Sequence, residues 1–248
     1  MEMMRKVHGL VLAAGKGTRM GSPLPKPLVP LNGKPLLGHL LDAFEATGLE
    51  GISVVVGHQG ELVAEHVGDR AHCIWQRERL GTAHAVACAL EELQSKAEHL
   101  LVFVGDSPLL QAATIERLTA HHLVTESACT FLTATFLEPF PYARVLMDAE
   151  GNVVKCVEER DATEEEKKVR EYLSSHFIFK LQALRDHLPS IQAHPRTGER
   201  YLTDMIPLLM AAGQQVSACP IEDYRELVGL NTPQDLAWAE TYLNTHTV

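Results

Sequence analysis

Leu10-Val11-Leu12-Ala13-Ala14-Gly15-Lys16-Gly17-Thr18-Arg19-Met20-Gly21-Ser22-Pro23-Leu24-Pro25-Lys26 is the stretch on which the fold turns. Val7 to Ala13 is a short aliphatic, partly β-branched run halted by small residues, the pattern of a buried strand that feeds a tight loop. Gly15 and Gly17 let backbone N–H groups face one concave site, and Lys16, Arg19 and Lys26 add three cations beside it. The combination suits a nucleoside triphosphate. It is neither of the common glycine-loop motifs. No Gly-x-x-x-x-Gly-Lys-Ser/Thr is present, and Gly15, Gly17 and Gly21 miss the dinucleotide spacing Gly-x-Gly-x-x-Gly by one residue.

Composition narrows the class. A chain of 248 residues with 46% hydrophobic content can bury a substantial α/β core, and one domain over 1–248 is expected. The apolar runs are short and no signal segment opens the chain, which points to a cytoplasmic protein without a membrane anchor. A net charge of −10 argues against nucleic-acid or anionic-membrane partners, so a polyanionic substrate needs local positive charge and a metal. The five cysteines are dispersed without a Cys-x-x-Cys, as free thiols in a reducing compartment would be. The histidines lack His-Glu-x-x-His spacing, and no zinc site is expected.

Further along, Pro35 suits the first turn of a helix whose apolar face is Leu36, Leu37, Leu40, Leu41 and Phe44, closed by Gly48. Strand Ile52–Val56, helix Glu61–Val67 and strand Cys73–Trp75 continue the alternation expected of a parallel sheet with right-handed crossovers. In Gln76-Arg77-Glu78-Arg79-Leu80-Gly81-Thr82-Ala83-His84-Ala85, Thr82 can cap a helix with Val86, Leu90 and Leu93 on its buried side. The Gln76 amide and the close backbone approach at Gly81 equally suit a base edge. Leu100–Val104 reads as a central strand, and Asp106 at its carboxyl end can hold a cation or cap the helix that begins near Ala112. Thr130–Phe136 reads as a strand, and Tyr142–Met147 with Val153–Val157 as a hairpin about Asp148–Asn152. Asp161 and Glu164 have capping-box spacing. Ile206, Leu209 and Met210 form the inner face of a further helix. A strand runs into Asn231, and Thr232-Pro233 opens a terminal helix to 246, so Asn231 can cap, ligate or do both. The whole is α/β: a Rossmann-like mixed, mainly parallel sheet with a small antiparallel lobe.

Leu-Ala-Ala-Gly-x-Gly-Thr-Arg-Met followed by Pro-Lys resembles the signature of the sugar-phosphate nucleotidyltransferases. Within that family the chain is most similar to the N-acetylglucosamine-1-phosphate uridyltransferase domain of a bifunctional bacterial enzyme. The resemblance implies a nucleotide-binding part over about 1–125, a sugar-binding part over about 126–230, and transfer of the uridylyl group of UTP to a sugar-1-phosphate. It implies that Leu12, Ala13, Ala14, Gly15, Lys16, Gly17 and Thr18 hold the nucleotide, with Arg19 and Lys26 at the transferred phosphate. Gln-x-x-x-x-Gly-Thr-x-His-Ala implies Gln76, Gly81 and Thr82 at the uracil; Asp106 and, through Val-x-Gly-x-Asn, Asn231 become ligands of Mg²⁺. Glu158 is implied at the sugar hydroxyls, and the Gly-Glu-Tyr-Tyr-x-Thr-Asp pattern, here Gly198 to Asp204, implies Tyr201 and Thr203 beside the sugar.

The sugar side departs from that pattern. Gly-Tyr-Gly-Arg is here Pro141-Tyr142-Ala143-Arg144, so Ala143 stands where a glycine N–H meets the sugar. Asn-Thr-Gly is here Ser174-Ser175-His176, a hydroxyl in place of an amide and an imidazole in place of no side chain. Another sugar, another nucleotide, or a binding protein of weak activity are the alternatives these changes raise. The resemblance ends with the chain at Val248, without the hexapeptide repeats of the acetyltransferase half, so no acetyltransferase domain is expected.

Overall fold

The structure, a computed structural model, describes residues 3–246; the outermost residues of the expected 1–248 domain lie outside it. In chain order the elements are β1 (Val7–Leu12), a two-residue hairpin of β2 (Pro30–Leu31) and β3 (Lys34–Pro35), α1 (Leu36–Ala46), β4 (Gly51–Val56), α2 (Gly60–Val67), β5 (His72–Trp75) and α3 (Thr82–Glu92). There follow β6 (His99–Val104), α4 (Ala112–Val124), β7 (Cys129–Thr135), β8 (Ala143–Met147), β9 (Val153–Val157), β10 (Glu171–Lys180), α5 (Leu181–His187), α6 (Met205–Ala211), β11 (Val216–Pro220) and α7 (Pro233–His246).

One mixed sheet runs β11-β7-β10-β6-β1-β4-β5, with β8 and β9 attached beside β10. β6, β1, β4 and β5 are mutually parallel, as the alternation with helices requires. Successive residues of β6 serve opposite cores: Leu101 and Phe103 pack with α1, α2 and α4, while Leu100 and Val102 pack with α3, α5 and α6. Burial on both faces is why this strand is continuously apolar. Among the described residues no helix is long and apolar enough to cross a membrane.

β10 is the longest of the strands that sequence patterning does not reveal. Its second half pairs antiparallel with β6 through His176–Lys180, while its first half pairs with β8 at Tyr172 and Leu173 on that same edge. The register with β7, on the other edge, shifts between Leu173 and Phe177, and Ser175 takes φ 64° at the irregularity. The sheet therefore forks. One edge of β10 passes from β6 to β8, and the gap between them opens at the carboxyl end of β6, beside Asp106.

Several local expectations change. Pro35 lies in β3, one residue ahead of α1. Thr82 does not cap α3; its hydroxyl accepts the Leu202 N–H at 2.9 Å from a distant loop. The capping box is Thr163 with Glu166 rather than Asp161 with Glu164, since Thr163 and Glu166 exchange backbone N–H bonds at 2.8 and 3.2 Å. No strand enters Asn231; Tyr224–Leu227 is a single 3₁₀ turn. Thr232 does cap α7, its hydroxyl accepting the Asp235 N–H at 3.1 Å while Asp235 returns bonds to the N–H groups of Asn231 and Thr232.

Two imidazoles are locked neutral inside. His122 bonds His99 at 3.0 Å and Thr130 at 2.8 Å, and burial, reinforced by repulsion from His99, Lys180 and His121, lowers its pKa to about 3. Burial lowers His176 to about 4 despite the opposing pull of Asp106. An unfolded imidazole titrates near 6.5, so between that value and the folded ones the unfolded chain binds more protons. Stability is then present above about pH 6.5 and declines as pH falls toward about 4. Urea midpoints measured across this window are expected to drop, and His122→Gln to flatten the slope; an unchanged slope in the variant would assign the effect to other groups.

Candidate active site

The site begins where β1 and β6 end side by side. Leu12 is in register with Val104, and the Gly105 N–H donates to the Leu12 carbonyl at 2.9 Å. Beyond β1 the Ala13 N–H donates to Val55 and the Ala14 carbonyl accepts from His58, which anchors the base of the loop to the β4 side. The N–H groups of Gly15 to Thr18 then have no acceptor among the described residues, and they stand along a cavity of about 650 Å³. Such a row of unpaired donors is an anion cradle. Gly17 sits at φ 60°, and a Cβ there would meet the Lys26 Cβ at 2.3 Å, so glycine is what lets the Lys26 stem lie against the loop.

Three distant segments meet on Lys26. Its ammonium donates to Asp106 Oδ2 at 2.5 Å and to Asn231 Oδ1 at 2.8 Å, and Arg19 donates to the same Asn231 oxygen at 2.8 Å. The Asn231 Nδ2 donates to the Gly229 carbonyl at 2.9 Å, which turns its oxygen toward the cations. The Gly229 N–H in turn donates to the Tyr142 hydroxyl at 2.8 Å, and burial raises the Tyr142 pKa, keeping that phenol neutral.

A second cavity of about 170 Å³ occupies the fork of the sheet. Ala143, Glu158, Ser174 and Thr203 line it, and it shares Val104, Asp106 and Asn231 with the larger one. Glu158 accepts from the Thr203 hydroxyl at 2.8 Å. Ser174 is bonded to His176 Nδ1 at 2.9 Å, with the ring edge-on to Phe103 and its Nε2 buried without a partner. The two chambers thus meet at Val104, Asp106 and Asn231, with the Lys26 ammonium bonded to the last two from the larger chamber.

Leu12, Ala13, Ala14, Gly15, Lys16, Gly17, Thr18, Arg19, Lys26, Gln76, Gly81 and Thr82 all line the larger cavity. Tyr201, expected beside the sugar, lines that larger cavity too, its ring under the Arg160 guanidinium at 4.4 Å and its hydroxyl bonded to Thr197. Gly81 has a role that patterning assigned only to a base: at φ 99° its missing side chain admits the Arg200 backbone, whose carbonyl a Cβ would meet at 2.3 Å. Arg200 N–H donates to Leu80 and its carbonyl accepts from Ala83, so this loop is stitched to the segment carrying Tyr201 and Thr203. Arg79, Glu199, Tyr142 and Ser175 also line the chambers. Arg79 was readable as a cation between Gln76 and Gly81; Tyr142 and Ser175 required the fork.

Among the described residues no group of three or more His, Cys, Asp or Glu side chains is gathered to hold a metal. Asp106 and Asn231 nevertheless aim oxygens at one point, the place of the Lys26 ammonium. A pair of hard oxygens fits a cation that takes its other ligands from phosphates and water.

A family model described as the MobA-like NTP transferase domain matches residues 9–179. The bifunctional protein GlmU of Heliobacterium modesticaldum is 42% identical over 240 residues, covering 97% of this chain and 52% of that protein. GlmU of Geobacillus sp. is 40% identical over 237 residues, 96% of this chain and 52% of its own length. The chain spans about half the length of these relatives. In fold it is similar to a nucleotidyl transferase from Methanothermobacter thermautotroptrophicus, with a TM-score of 0.66 over 97% of this chain and 99% of that one at 20% identity. The glycine loop, the sheet that carries it and the match over most of the chain lead to one assignment: this protein belongs to the family of MobA-like NTP transferase domains.

Proposed function

We propose that the protein transfers the uridylyl group of UTP to a sugar-1-phosphate, with N-acetylglucosamine-1-phosphate as the leading acceptor. The observation that carries the reading is the wall common to both chambers, where Asp106 and Asn231 stand between the loop cavity and the fork cavity and are bonded by Lys26 from the loop side. Nucleotide in the first and sugar phosphate in the second would meet there. The identity of about 40% with GlmU proteins supports the uridine and amino-sugar chemistry of this proposal.

An oxygen of the sugar-1-phosphate attacks the α-phosphorus of UTP, the new P–O bond forms, and the bond to the β-phosphate oxygen breaks to release pyrophosphate. The nucleophile is already anionic and needs no general base. Lys26, Arg19 and the free N–H groups of Gly15 to Thr18 stabilise charge on the phosphoryl oxygens, so catalysis is positioning and electrostatics. Asp106 and Asn231 would hold Mg²⁺, which when bound supplies further positive charge to the phosphates. Gln76 and Gly81 face the base; Glu158 and Thr203 face the sugar. A different sugar-1-phosphate is the second reading, favoured by Ser174, whose hydroxyl is engaged by His176.

Pyrophosphate release is expected with UTP, Mg²⁺ and N-acetylglucosamine-1-phosphate. Release with glucose-1-phosphate alone would move the assignment to the second reading. Lys26→Ala should lower kcat by about a hundredfold or more while UTP affinity changes far less. Equal losses in both would remove its phosphoryl role. Gly81→Ala, strained by about 1–3 kcal/mol and pressed against Arg200, should raise KM for UTP more than it lowers kcat. Kinetics identical to the parent would show that the 80–83 and 200–203 segments do not act on the nucleotide.

A further inference from the structure

One side chain of the nucleotide cavity has its two polar ends already divided between protein and cavity. Gln76 follows β5, is 4% exposed, and has its backbone N–H held by Val56 at 2.9 Å. Its Nε2 lies 3.0 Å from the Gly81 carbonyl and 3.0 Å from His84 Nδ1. A carbonyl only accepts, so the NH₂ end of the amide must face it. An amide nitrogen has no lone pair to offer, so His84 Nδ1 is also an acceptor and the imidazole proton sits on Nε2. That nitrogen is 3.9 Å from Cys88 Sγ, one helical turn further along α3, where a thiol sulfur accepts weakly.

The proton arrangement along Cys88, His84, Gln76 and Gly81 therefore has one consistent solution. Both N–H groups of Gln76 are used, and its Oε1 has no donor among the described residues while the side chain lines the cavity. Gly81 complements it, because its N–H has no acceptor among the described residues. The cavity wall thus offers an acceptor beside a donor. Uracil presents an N–H beside a carbonyl and matches that pair. Cytosine presents a ring-nitrogen acceptor where uracil has its N–H, and meets Oε1 with a lone pair.

We propose that His84, which does not itself line the cavity, is the positioning residue for base selection. By accepting the second N–H of Gln76, beside the Gly81 carbonyl that takes the first, it locks the amide with Oε1 outward, so the site prefers a base that donates from its ring nitrogen. This rests on the uridylyl reading for the identity of the base, but the orientation of the amide does not.

The test compares two substitutions on α3 by calorimetric titration of the full chain with UTP, CTP and GTP. His84→Phe keeps a ring and loses the acceptor; His84→Asn loses the ring but places an amide oxygen where Nδ1 stood. The preference for UTP over CTP is expected to fall about tenfold in H84F and to stay close to the parent in H84N. A preference retained in H84F, or lost equally in both variants, would overturn the proposal and leave the uridylyl reading intact. A parent preference for another base, abolished in H84F and kept in H84N, would support the role of His84 and remove the uridylyl reading. No base preference in the parent would remove both.

Discussion

The Lys26 ammonium, 2.5 Å from Asp106 and 2.8 Å from Asn231, is the contact through which the site is assembled. Each partner comes from a different part of the chain: the loop after β1, the end of β6 and the turn before α7. Two half-buried charges cost desolvation, which their mutual contact and the second bond of Lys26 to Asn231 offset, while the backbone around them is fixed by neighbouring bonds. Asn231 is tied to Gly229, Gly229 to Tyr142, and the Leu230 N–H to the Asp106 carbonyl at 2.8 Å. Removing Lys26 would leave a carboxylate unmatched at the junction of both chambers, so one side chain holds three distant segments of the pocket together. The same two oxygens serve the ammonium and would serve a divalent cation, which couples cation binding to the position of Lys26.

How much of this was legible depends on what each element buries. β1, β4 and β6 were readable because parallel strands covered on both faces are continuously apolar, and the hairpin of β8 and β9 because its turn residues are explicit. β10 was not, since the polar Ser174, Ser175 and His176 sit in its middle, where patterning suggests a loop. β11, with Ser217 and Pro220 in five residues, carries too little signal to distinguish it from a connection. The capping box was misplaced by two residues because both Asp161 with Glu164 and Thr163 with Glu166 have the spacing. Lys155 on β9 engages Glu166 at 2.5 Å, a tertiary partner that local sequence does not contain. Thr82 is the same lesson: Leu202, far along the chain, claims the hydroxyl. Of the residues lining the candidate site, the glycine loop and the strand-end Asp106 were legible as local signals, whereas Glu158 and Thr203 were placed only by the family resemblance.

A net charge of −10 does not prevent one cavity from carrying a local excess of cations. Lys16, Arg19, Lys26 and Arg79 outnumber Asp106 and Glu199 among the residues lining the larger cavity, while Asp148 and Glu150 are exposed at the hairpin turn and Glu164 and Glu165 pair with Lys167 and Lys168. Salt screens the distant carboxylates over roughly 10 Å, whereas the loop cations act within a walled cavity at contact distance. Overall acidity thus excludes long phosphate tracks as ligands without excluding a single triphosphate.

The fork supplies what a simple doubly wound sheet would lack. When one edge of β10 changes partner from β6 to β8, backbone groups and side chains near Leu173 to Ser175 line a recess directly beside Asp106. Ser175 is held at φ 64°, a conformation costly for a residue with a side chain, and His176 Nε2 is buried without a partner. Both defects lie where the ladder is interrupted, so the cost of the irregularity is confined to the edge of the second chamber. Ser174 turns its hydroxyl to His176 and Thr203 turns its hydroxyl to Glu158, so these polar groups of the fork are paired with one another, whereas Ser107 Oγ, buried in the same recess, has no partner among the described residues.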